Sequence, residues 1–178
     1  MPFRASALAL IGALALTACA TRPPIPKSTA APFDLVRDLG GQTVARGAFT
    51  TVFGAKRGFT ATLDGRMEGQ TFVLAETFAF DDGERDKKTW RLTQRSDGRW
   101  SGTREDVVGE AIGYMDGAAF RLEYLIDLPR KNGKTTRVRF RDVLVRTASG
   151  DVLNKAIVAY RGVPIGQVTL DITRTPPG

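Results

Sequence analysis

The side chains able to do chemistry here are carboxylates, one arginine and one asparagine set into stretches of alternating apolar and polar residues. Along Thr71 to Phe80, written TFVLAETFAF, a strand would place Phe72, Leu74, Phe78 and Phe80 on one side together with Glu76. Along Arg99 to Val108 the same period groups Trp100, Arg104, Asp106 and Val108. Along Thr135 to Arg146 it puts Asp142 among Val138, Phe140 and Leu144, and Asn154 likewise precedes Ala156, Val158 and Tyr160. Inward polar groups need partners, because an unpaired buried charge is strongly unfavourable.

The simplest arrangement is a network in which Arg104 bridges Glu76, Asp106 and Asp142 while Asn154 completes the hydrogen bonds. It has three readings. It is structural, fixing strand register or sealing one end of a barrel. It is a ligand site, with Arg104 gripping a carboxylate or phosphate head and Phe72, Phe78, Phe80, Trp90, Phe120 and Tyr124 walling an apolar tail. Or Glu76 works with Asp106 or Asp142 as acid and base on a lipid, for which alternation supplies a shared face but no distance. The chain has no histidine and one cysteine, which excludes His-based triads, Cys–His dyads and the usual zinc ligand sets. Walker-type loops and GxGxxG are missing, and Gly109-x-x-x-Gly113 sits in strand-like sequence, where glycine marks a bulge or bend. No catalytic residue, metal site or cofactor is therefore assigned.

The elements that position these groups are strands. A short helix is expected over Pro32 to Leu39, ended by Gly40-Gly41. Turn signals then recur at Gly54, Asp64-Gly65, Asp82-Gly83, Asp97-Gly98, Asp116-Gly117, Asn132-Gly133, Ser149-Gly150 and Arg161-Gly162. This spacing predicts an all-β fold, an up-and-down antiparallel barrel of lipocalin-like or calycin type, with a strongly curved sheet as the alternative.

The first residues read as an export signal. Arg4 gives a positive start, Ala5 to Leu16 an apolar run too short to span a bilayer, and Leu16-Thr17-Ala18-Cys19 a lipobox. The expected division is a lipoprotein signal peptide at 1–18, a proline-rich tether at 19–32 and one domain at 33–178, with Cys19 as the lipidated residue. Ala20 after the cysteine points to the periplasmic face of the outer membrane. The formal charge of +7 suits solubility or an anionic lipid surface equally. Its densest stripe is Arg137, Arg139 and Arg141 with Lys131 and Lys134, which either pairs with acids such as Glu123 and Asp127 or meets anionic headgroups. Nucleic acid is not an expected partner, since no binding motif accompanies the charge.

Leu74-Ala-Glu76-Thr-Phe78 with Asp82-Gly83, Thr89-Trp90, Asp106-Val-Val-Gly109-Glu-Ala-Ile-Gly113, Asp142, Asn154 and the closing Gly162-Val-Pro-Ile-Gly166-Gln-Val168 resemble the bacterial lipoproteins grouped as domain of unknown function 3833. The resemblance spans about Phe33 to Thr173. It implies an envelope lipoprotein and assigns no activity or catalytic residue. The expected function is an outer-membrane-anchored protein that binds a lipid, fatty acid or other apolar ligand in its barrel. The alternative is a filled barrel serving structure or interaction.

Overall fold

The computed structural model describes residues 22–28, 30–130 and 133–175; Cys19 and the expected signal segment lie outside the described residues. Helix α1 (Leu35–Leu39) leads into ten strands: β1 (Gly41–Thr51), β2 (Lys56–Glu68), β3 (Thr71–Phe80), β4 (Arg85–Gln94), β5 (Trp100–Thr103), β6 (Ala111–Asp116), β7 (Ala119–Pro129), β8 (Thr135–Arg146), β9 (Val152–Tyr160) and β10 (Val163–Arg174). Each pairs antiparallel with its sequence neighbours, and β1 pairs with β10, so the sheet closes into a barrel. Closure gives every strand a partner on both sides, and where β5 and β6 end short the seam between β4 and β7 is covered by the loop at 104–110.

Because the strands run up and down, their turns collect at two ends. The base carries α1 and the turns at 69–70, 95–99, 117–118 and 147–151; the mouth carries those at 52–55, 81–84, 130–134 and 161–162. The last is a two-residue hairpin in which Arg161 (φ 49°) and Gly162 (φ 85°) both take the left-handed conformation, matching the twist of the strands it joins.

α1 closes the base. Asp34 caps it, accepting the Arg37 N–H at 2.7 Å, so the helix begins later than the expected Pro32. Leu35 and Leu39 are buried in the barrel core. Asp38, its side chain 1% exposed, accepts hydrogen bonds from Arg37 and, at 2.8 Å, from Arg146 at the end of β8. These bonds tie the plug to the wall, and they hold the Asp38 carboxyl below its usual range although burial pushes the other way.

Two sequence expectations give way to packing. Asp64-Gly65 is not a turn but lies within β2; the chain turns at Gly69-Gln70. A Cβ on Gly65 would stand 2.0 Å from the Leu39 carbonyl oxygen and 2.8 Å from Phe72 Cζ, so the glycine is there to let the helix rest on the wall. The strand expected from Arg99 to Val108 stops at Thr103. β5 pairs with β4 only from Arg91 to Gln94, and beyond that point the Thr89 N–H bonds to the Glu105 carboxylate at 2.8 Å in place of a strand carbonyl. Residues 104–110 form a loop, with Val107 N–H on the Arg104 carbonyl at 3.0 Å and Val108 N–H on that of Leu125 at 2.8 Å.

The chain ahead of α1 lies along the outer wall. Phe33 N–H bonds to the Ala118 carbonyl at the base, and Ser28 reaches the Arg146 carbonyl with its hydroxyl. Arg121 on β7 donates to the Pro23 carbonyl at 2.7 Å, and Arg22 pairs with Glu123 at 2.8 Å. Between these anchor points the outward-facing Ala119, Val143 and Val145 form a small buried cluster on the outside of the barrel.

Candidate functional site

The barrel interior holds a cavity of about 400 Å³. Leu35 and Leu39 form its floor, Phe49, Phe78, Trp90, Tyr124 and Phe140 are among its walls, and the exposed Leu128 and half-exposed Arg57 mark its opening at the mouth. The volume falls within the range of small-ligand pockets, and the lining is mostly apolar with a few convergent polar groups. Those polar groups are Glu76, Asp142 and Asn154, from β3, β8 and β9, with Arg104 and Asp106 from the loop after β5.

The strand period delivers Glu76, Asp142 and Asn154 to the inner face, as the sequence predicts. Arg104 and Asp106 arrive by another route, since the 104–110 loop folds over the gap between β4 and β7 and turns the guanidinium inward. Arg104, 11% exposed, donates Nε to Asp106 at 2.8 Å, Nη2 to Asp106 at 3.2 Å and Nη1 to Glu76 at 3.3 Å. Its Cζ lies 4.7 Å from the Trp90 ring centre and 5.5 Å from that of Tyr124. The guanidinium expected to grip a ligand carboxylate is thus engaged by two carboxylates of the protein itself.

Asp142 belongs to a second group. Its Oδ2 accepts from the Tyr124 hydroxyl and from Asn154 Nδ2, both at 3.4 Å. The network is therefore two linked pieces, Glu76–Arg104–Asp106 and Tyr124–Asp142–Asn154, joined where Arg104 faces the Tyr124 ring. Burial pushes the Glu76 carboxyl up to about 7, against the pull of Arg104, with Asp106 and Glu105 adding to the rise. Burial likewise raises Asp142 to about 7, against Asn154, Arg104 and Tyr124.

Of the expected aromatic wall, Phe78, Phe80, Trp90, Phe120 and Tyr124 line the cavity. Phe72 faces inward too but is fully buried in the core near the base, beside the Gly65 backbone, and does not line the cavity. The structure adds Asp86 and Lys88, paired at 3.0 Å, and Arg57 stacked 3.8 Å over Phe80. Counting alternate residues back from Trp90 along β4 leads to Lys88 and Asp86.

On the outside, Arg137 pairs with Asp127 at 2.8 Å and Arg141 with Glu123 at 3.3 Å. With Arg139, Arg130 and Arg161 they line a shallow groove beside the mouth.

A family model described as Protein of unknown function (DUF3833) matches residues 13–174. The chain belongs to this family. No curated protein matches it. Among solved structures, the DUF3833 barrel is similar to the S-type phycobiliprotein lyase CPES from Guillardia theta, with a TM-score of 0.60 over 78% of this chain and 89% of that one. At 9% identity the likeness is one of fold, and it places the DUF3833 domain among lipocalin-like barrels.

Proposed function

We infer that this protein is a lipid-anchored envelope protein that holds a lipid or other amphiphile inside its barrel. The observation that carries the reading is the cavity of about 400 Å³, floored by α1, walled by aromatic and aliphatic side chains and open at the mouth. A barrel filled by its own side chains would leave no such space.

The anchor would be lipid on Cys19, on the periplasmic face of the outer membrane, as the lipobox and Ala20 suggest. Supporting this, one side of the mouth rim is apolar and carries cations beside it. Phe53, 94% exposed, stands beside the exposed Val52 and Val163, and the Val52 N–H bonds to the Ile165 carbonyl, bringing the two hairpins together. Lys56 and Arg161 follow closely in sequence on those hairpins. An apolar tip with basic residues beside it suits the headgroup boundary of an anionic bilayer, from which an amphiphile could pass into the mouth. The groove along Arg137, Arg139 and Arg141 would add headgroup contacts.

The test is native mass spectrometry of the protein isolated from its own membranes, followed by organic extraction and identification of what is released. A stoichiometric amphiphile supports the reading. A protein consistently free of ligand in preparations that retain other lipids overturns it.

A further inference from the structure

Taking the cavity as a binding site, as above, its polar pole has a definite sign. Arg104 has Nε, Nη1 and Nη2 engaged with Glu76 and Asp106. Opposite it stands an excess of acceptors. Asp142 is 7% exposed and Asn154 9%, both line the cavity, and the Oδ1 atoms of both are buried without a hydrogen-bond partner among the described residues. Asn154 turns its Nδ2 toward Asp142, which leaves its own Oδ1 directed elsewhere. Tyr124 and Asn154 both donate to the same Asp142 oxygen, at the long end of the hydrogen-bond range, so neither serves Oδ1.

A buried acceptor without a donor is costly, and native interiors rarely keep one unless something else supplies the donor. The last torsion of an aspartate or asparagine is soft, so either oxygen can turn toward an arriving group. The other cations that line the cavity have acids of their own, Lys88 with Asp86 and Arg57 with Asp82 and Glu84, and at the pole itself Glu76, Asp106 and Asp142 face one guanidinium, so the charges agree with the acceptor excess. A carboxylate or phosphate brought here would find its natural cation already held and three acids around it.

We propose that the barrel selects amphiphiles whose head donates hydrogen bonds, a hydroxyl or an ammonium, with Asp142 and Asn154 as the accepting pair, and that it discriminates against carboxylate heads. Asp142 and Asn154 are binding residues in this scheme, and Arg104 is a positioning residue that keeps Glu76 and Asp106 out of the ligand's way.

The test uses three probes with one twelve-carbon tail, dodecylamine, dodecanol and laurate, titrated below their aggregation limits at pH 8. Fluorescence of Trp90, a cavity-lining residue, is the readout, with calorimetry alongside. The amine and the alcohol should each bind about ten-fold or more tighter than laurate, the factor expected from one satisfied buried acceptor. The amine should lose its advantage over laurate in Asp142→Asn, a variant of the same shape without the charge. Laurate binding as tightly as the other two overturns the proposal while leaving the barrel a ligand carrier. Failure of all three to bind removes the carrier reading, and this proposal with it.

Discussion

Replacing Arg104 by methionine tests the site's electrostatics, because the side chain keeps much of its bulk and loses its charge and hydrogen-bond donors. Glu76, 12% exposed, would lose the cation at 3.3 Å, and Asp106 would lose bonds at 2.8 and 3.2 Å. Breaking a buried ion pair on one side costs about 3–5 kcal/mol. Part of that cost is avoidable, since Glu76 already titrates at about 7 beside the arginine and rises further without it. Below that pH it is neutral in both proteins, and the loss reduces mainly to the Asp106 bonds, about 2 kcal/mol. At pH 8 the variant must protonate Glu76 against about one pH unit, which adds about 1.4 kcal/mol and brings the loss to about 3 kcal/mol. For a domain of this size each kcal/mol moves Tm by about 2–4 °C, so Arg104→Met should melt about 8 °C lower at pH 8 and about 5 °C lower at pH 5.5. Circular dichroism melts at the two pH values measure both numbers. Adding Glu76→Gln should restore part of the loss at pH 8 and little at pH 5.5. A variant that melts within 2 °C of the wild type at pH 8, or that loses the same amount at both pH values, would refute the reasoning.

Three further outcomes are expected. Glu76 and Asp142 titrate near 7 when folded and near 4 when unfolded, so the folded state binds the extra protons and the wild type should lose stability as pH rises from about 4 to 7, then level off. The urea midpoint should fall between pH 5 and pH 8, by less in Asp142→Asn; a rise over that interval contradicts the assignment. Gly65→Ala forces a methyl against the Leu39 carbonyl and should cost about 1–3 kcal/mol by lifting α1 off the wall, and an unchanged urea midpoint would dismiss the close-approach argument. Cys19→Ser should move the protein from the membrane fraction to the soluble one, and continued sedimentation with membranes would rule out lipidation as the anchor.

Much of the site was legible because a strand's period of two is rigid. Once Thr71 to Phe80 and Thr135 to Arg146 are strands, Glu76 and Asp142 have no choice but to share a face with their apolar neighbours. What escaped depends on contacts distant in sequence. The strand through Arg104 ends early because Thr89, sixteen residues before Glu105, takes that side chain as its partner. Gly65 looks like a turn residue until Leu39 is placed against it, and Phe72 looks like part of the cavity wall until the helix floor sets where the cavity ends. That Arg104 would be engaged by Glu76 and Asp106, leaving Asp142 to Tyr124 and Asn154, is a matter of ångströms and not of register.

The segment pinned to the outer wall sets the length of the leash. Free and extended, the stretch from Cys19 to Phe33 would let the barrel range about 45 Å from its anchor. Held by Arg121 at Pro23 and by Glu123 at Arg22, it leaves only the residues between Cys19 and Arg22, a reach of about 10 Å. With lipid on Cys19, as proposed, the barrel would stay close to the leaflet that anchors it. Serving a second surface would first require peeling the segment away, which makes Arg121 the latch on how far this protein can travel.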